Sequence, residues 1–201
     1  MMSARVPRLL LIFTAFFAGL VLCLGVILFV AGGRGAGTGV IQAAAIGGPF
    51  RLTDQDGKAF SNQDLRGRTF LVFFGFTHCP EVCPTTLFEI SEIMRNLGPD
   101  ADRTAALFVT VDPERDTPEA MKDYMASFDP HVRGLTGDAD ALATVAKAYR
   151  VYYKKVPLDG GDYTMDHTAI VYLMDKEGRF VSPFNMKRTA EAAAADLRKH
   201  L

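Results

Sequence analysis

Residues 69–84 restrict the possible folds of this chain more than any other stretch. Thr69 to Phe74 is a continuous apolar run closed by Gly75, the pattern of a strand buried on both faces. Phe76-Thr77-His78-Cys79-Pro80-Glu81-Val82-Cys83-Pro84 follows. Proline is favoured at the first position of a helix, so the expected helix runs from Pro84 to about Leu97, where Gly98-Pro99 ends it. Two thiols four positions apart therefore stand at a strand-to-helix junction of a sheet covered on both sides. With Pro84 first in the helix, Cys83 takes the N-cap, where free backbone N–H groups and the helix dipole favour a thiolate. Either sulfur can then attack a disulfide or ligate a metal, and the spacing lets both face one point.

Alternation of strands and helices continues downstream. Pro49 to Thr53 and Lys58 to Phe60 flank Asp56-Gly57 as a hairpin. Ala105 to Val111 is a second buried strand, and Thr117-Pro118-Glu119 opens a helix to about Phe128. A short strand ends at Leu135, Asp138 caps a helix through Tyr149, and Val151 to Val156 is extended. Ala169 to Met174 and Phe180 to Phe184 pair across Lys176-Glu177-Gly178, and an Ala-rich helix from about Thr189 closes the chain. Such an order fits an α/β fold with a central sheet flanked by helices. It resembles a thioredoxin fold with an added N-terminal hairpin and an insertion.

The N-terminus is of another kind. Leu9 to Ala31 is 23 residues without a charge, about 35 Å as a helix and enough for a hydrocarbon core of about 30 Å. A signal peptide has a shorter apolar region, about 7–15 residues. The expectation is a tail at 1–8, a single transmembrane anchor at 9–31, a Gly- and Ala-rich tether at 32–47 and a folded domain at 48–201. Arg5 and Arg8 precede the span and only Arg34 follows closely, which puts the tail in the cytoplasm and the domain outside. A bacterial inner membrane with a periplasmic domain is the simplest reading. Formal net charge is −1, so nothing in the balance points to nucleic acid.

Cys23 lies within the span as a small apolar residue. Cys79 and Cys83 are the pair left for the exported domain. A structural disulfide between them would close a loop too short to stabilise much, in a domain of about 150 residues that buries an adequate core. His167, in Asp166-His167-Thr168, precedes the strand Ala169 to Met174. Thioredoxin-like folds bring that loop against the cysteines, with a cis-proline that is missing here. Two sulfurs and one imidazole fall short of the four ligands of structural zinc but suit Cu(I) and Cu(II). Asp166 is a candidate to orient the imidazole from outside the metal shell, or else a solvated loop acid.

Thr77 to Pro84, Val111 to Pro118 and Asp162 to Ile170, in this order, resemble the SCO/SenC family of copper proteins required for cytochrome c oxidase assembly. The resemblance covers essentially all of residues 48–201 and shows no departure from the metal-site pattern. It implies one copper ion held by Cys79, Cys83 and His167. It further implies delivery to the binuclear copper site in subunit II of the oxidase, with reduction of that site's cysteines as a possible second task. A copper donor and a thiol reductant would serve it.

Two functions stand side by side on this reading. One is a membrane-anchored copper chaperone. The other is a thiol-disulfide oxidoreductase in which Cys79 and Cys83 are catalytic. Dependence on His167 separates them, because thiol exchange has little need of it. A peroxidase lacks a recognisable peroxidatic motif, and a sensor lacks a signalling domain. Asp112 and Arg115 are candidates for a partner surface, although a strand end, turn and cap account for Val111 to Pro118. His78 is a candidate to tune Cys79 or else a surface residue turned away, and Met165 a candidate to assist transfer, with loop packing the stronger reading; His131 and His200 look incidental.

Overall fold

Seven strands form one mixed sheet, and the strand carrying the cysteine loop lies inside it. The computed structural model describes residues 8–33 and 46–201; most of the expected tail and tether falls outside the described residues. The chain divides into two units, at 1–44 and 45–201.

In the first unit, α1 is Arg8–Gly33. Its described side chains are exposed apolar groups such as Phe16, Leu22 and Leu28. Among the described residues no helix is long and apolar enough to cross a membrane.

The second unit contains β1 (Arg51–Asp54), β2 (Ala59–Ser61), β3 (Thr69–Gly75), α2 (Val82–Leu97), β4 (Thr104–Thr110), α3 (Pro118–Met125), β5 (Val132–Thr136), α4 (Ala139–Ala148), β6 (Tyr153–Pro157), β7 (Tyr163–His167), β8 (Val171–Met174), β9 (Phe180–Pro183) and α5 (Ala190–Leu197). Sheet order is β2-β1-β5-β4-β3-β8-β9. β3 pairs in parallel with β4 and antiparallel with β8, while β4 pairs in parallel with β5. Every residue of β3 is buried, as its unbroken apolar run requires. Alternation sends its aromatics to opposite faces. Phe73 meets Phe108 and the His167 ring, whereas Phe74 meets Tyr149 and Tyr172.

The N-terminal hairpin forms as expected, with Leu52 opposite Phe60, and β1 extends the sheet at β5. Thr117, Asp138 and Thr189 cap their helices by accepting from the N–H three residues on. α3 is shorter than expected. It stops at Met125, and Ser127 and Phe128 donate to Tyr124 and Met125 in tightened turns, a common finish to a helix.

The main departure concerns His167. It does not sit in a loop before a strand; it ends β7, which pairs antiparallel with β6 in a separate two-stranded sheet, His167 opposite Tyr153. The turn Asp159-Gly160-Gly161-Asp162 makes this hairpin possible, with positive φ at both glycines (88° and 89°). Side chains avoid that conformation and glycine does not.

Candidate metal centre

Two structural limbs converge on one point. The first is the loop after β3. Cys79 N–H donates to the Phe76 carbonyl at 3.2 Å, and Cys83 N–H points at the Cys79 sulfur at 3.4 Å. α2 begins at Val82 with Glu81 as its N-cap, which corrects the expected start. Cys83 is thus the second helical residue and Pro84 the third, a place where proline's missing N–H is still harmless. Being inside the first turn rotates Cys83 into the core, where it is fully buried, while Cys79 is half-buried.

The second limb is the end of β7. His167 Nε2 lies 3.7 Å from Cys83 Sγ. Its Nδ1 lies 3.2 Å from the Thr168 carbonyl oxygen. A carbonyl can only accept, so Nδ1 carries the proton and Nε2 presents its lone pair to the sulfurs. Phe76 stands perpendicular to the imidazole at 5.8 Å and Phe73 edges it at 6.4 Å. The ring is held in an apolar cleft with one face of its chemistry open.

The donor atoms of Cys79, Cys83 and His167 all lie within 4.8 Å of one another, the one such set of His, Cys and carboxylate ligands among the described residues. Donors about 2.0–2.3 Å from a shared ion stand about 3.5–4.0 Å apart in a trigonal plane. The Cys83–His167 distance already meets this, and the remaining contraction is at most about 1.3 Å. Soft sulfur and neutral imidazole suit a thiophilic ion, and a three-donor set leaves a side open to an incoming ligand.

Burial sets the protonation states. It pushes the Cys83 thiol well above its ordinary range, opposed by a hydrogen bond from the Phe76 backbone and reinforced by the Cys79 sulfur. Burial also lowers the His167 pKa, against the Thr168 carbonyl and the Asp166 charge. The imidazole is therefore neutral at pH 7 and ready to ligate. The thiolate expected at Cys83 from the helix dipole does not arise in the metal-free site, because desolvation outweighs the dipole.

Asp166 is exposed on β7, and the orienting bond expected of it is made by the Thr168 backbone carbonyl. Adjacent strand residues face opposite ways, so Asp166 acts on the imidazole only as a nearby charge. Met165 is buried in the hairpin's inner face. His78 is exposed, 3.0 Å from the Thr77 hydroxyl and 4.0 Å from Asp116. His131 pairs with Asp129 and Asp102, away from the centre.

Sequence reasoning missed two participants. A backbone carbonyl such as that of Thr168 leaves no mark in a sequence. Gly75 does leave one: a Cβ there would lie 2.6 Å from Cys83 Sγ and 2.7 Å from the Phe108 ring. A glycine ending a buried strand beside a cysteine loop is the signal of such a close approach.

The fold and site define a thioredoxin-like α/β protein in which an inserted hairpin brings a histidine beside the two thiols of the loop after β3. The sequence profile of the SCO1/SenC family matches residues 38–201, and the chain belongs to that family. It is 64% identical to the structure of Bradyrhizobium japonicum ScoI with copper bound, covering 78% of this chain and 100% of that one at a TM-score of 0.77. Copper-bound yeast Sco1 is 36% identical over 78% of this chain and 88% of its own, with a TM-score of 0.70. The bovine mitochondrial SCO2 homolog is 40% identical over 168 residues, 82% of this chain. The chain spans 63% of that relative's length.

Proposed function

We propose that this protein is a membrane-anchored copper chaperone. It binds one copper ion through Cys79, Cys83 and His167 and delivers it to the binuclear copper site in subunit II of cytochrome c oxidase. One observation carries the reading: His167 Nε2, with its lone pair turned inward, lies 3.7 Å from Cys83 Sγ. Thiol exchange has little need of this imidazole, whereas a three-donor metal site requires its lone pair. The copper-bound relatives supply the choice of metal, and family membership supplies the oxidase.

Copper here is cargo. Cys79 is the accessible ligand and Cys83 the buried one, so an acceptor approaches from the side of Cys79 and His167. Displacing the neutral imidazole first costs less than displacing a thiolate. Ligand exchange through the open side moves the ion without releasing it to solvent.

The anchor is the uncharged run 9–31, with the folded domain on the periplasmic face of a bacterial inner membrane, as the flanking arginines suggest. Tethering raises the effective concentration of the site near membrane-embedded acceptors.

Thiol exchange is the second reading, favoured by two free cysteines of unequal exposure. The Cys79 thiolate would attack a partner disulfide to give a mixed disulfide and release one partner thiol. Cys83 would then resolve it, leaving Cys79–Cys83 oxidised and the partner a dithiol. The same oxidation would remove both sulfur ligands from copper.

The test is a copper titration of the reduced full chain in detergent against a Cu(I) chelator, beside His167→Ala and Cys83→Ala. The chaperone reading expects one tightly held copper and at least a tenfold loss of affinity in each variant, of the order seen when metal shells are disturbed. Weak binding, or a His167→Ala variant equal to wild type, would leave thiol exchange as the function.

A further inference from the structure

A single turn touches both limbs of the metal centre. It follows β4 and runs from Asp112 to Asp116, closed by Arg115 N–H and Asp116 N–H donating to the Asp112 carbonyl. Asp112 and Asp116 are buried, which is costly for acids unless each is well supplied with donors.

Asp116 is supplied from the cysteine limb. Its carboxylate accepts the Thr77 N–H at 3.0 Å, the Thr77 hydroxyl at 2.6 Å and the Thr110 hydroxyl at 2.6 Å. Thr77 lies between Phe76, whose carbonyl holds Cys79, and the cysteines themselves. Asp116 therefore fixes the root of the ligand loop.

Asp112 and Arg115 are supplied from the histidine limb. Asp112 accepts the Tyr163 hydroxyl at 2.8 Å and Arg115 Nε at 2.5 Å. Arg115 Nη1 donates to the Tyr163 carbonyl at 2.9 Å, and its guanidinium lies 3.7 Å from the centre of the Tyr163 ring. Tyr163 begins β7, four residues before His167 and on the same face of the strand. The guanidinium also lies 5.8 Å from the Phe76 ring, which in turn abuts His167.

The hairpin that carries His167 is not part of the main sheet, so ladder hydrogen bonds to β3 or β8 do not fix its position. The turn does. We infer that Asp112, Arg115 and Asp116 with Tyr163 form a clamp that holds the cysteine loop and the β6–β7 hairpin at ligand distance, and so keeps copper three-coordinate. These are positioning residues; none of them touches the metal. The inference rests on the proposed copper site.

A clamp on the histidine limb makes a prediction that a general stabilising role does not. Tyr163→Phe removes one oxygen from the clamp and leaves the ring stacked under Arg115, which makes it the mildest probe; Arg115→Lys keeps the charge and loses the fork. Each is made in the full chain, alone and with His167→Ala. Cu(I) affinity is read by chelator competition, and nitrogen coupling in the Cu(II) electron paramagnetic resonance spectrum reports the imidazole directly.

The expected result is about a tenfold loss of affinity in Tyr163→Phe, with nitrogen coupling reduced toward that of His167→Ala. Added to His167→Ala, it costs little more, since the two changes act on one interaction. Arg115→Lys is expected to behave alike. An unchanged affinity and spectrum, or a loss of the same size with and without His167, overturns the clamp while the copper site stands. Wild type that binds no copper overturns both.

Discussion

At the scale of residues, the centre is built from unequal ligands. Cys83 is buried beneath the Gly75 backbone and Cys79 is half-exposed, so one sulfur is packed in the core while the other is reachable from solvent. Desolvation keeps Cys83 as a thiol and His167 as neutral imidazole in the metal-free protein. At the proposed copper site, metal uptake at Cys83 would then release a proton, with copper taking its place as the positive partner of the sulfur. The space for this sulfur exists because residue 75 has no side chain. Gly75→Ala forces Cys83 or Phe108 aside, and crowding of this kind costs about 1–3 kcal/mol. Denaturant unfolding and the copper titration together check it: both stability and affinity are expected to fall. Unchanged affinity would mean that Cys83 moves without cost to the site.

Among the elements, β3 with α2 and the β6–β7 hairpin divide the work. β3 was legible in the sequence because seven consecutive buried positions leave no polar alternation to misread. The caps at Thr117 and Asp138 were legible because a hydroxyl or carboxylate before a helix has one obvious hydrogen-bonding role. β7 was not. Tyr163 to His167 carries a charge and a polar residue on a short strand whose partner is equally polar, so its pairing is written only in the two glycines of the turn. Helix capping also separates fold from site. Thr189 Oγ1 accepts the Ala192 N–H at 3.3 Å at the start of α5, and Thr189→Ala is expected to lower unfolding free energy by about 1 kcal/mol. Copper affinity should stay at the wild-type value, and a fall would show that α5 transmits strain to Cys83 through α2.

Over the whole molecule, an N-terminal segment with the uncharged run 9–31 and a folded α/β domain belong to one chain. The proposed anchor predicts that the full chain remains in the membrane pellet after an alkaline carbonate wash, read by immunoblot; release into the supernatant would argue for peripheral attachment. The amino-acid sequence by itself determined the α/β class, the buried strand, the cysteine junction and the uncharged run 9–31, since each follows from local patterning of apolar, turn and capping residues. The nomination of Cys79, Cys83 and His167 as candidate donors also came from the sequence, carried by three ordered motifs. Tertiary structure alone decided their relation: Cys83 inside the helix instead of capping it, the Thr168 carbonyl in place of Asp166, and one turn after β4 gripping both limbs. These depend on which side chains are desolvated and which segments meet across 84 residues of sequence separation. Local pattern carries no record of either.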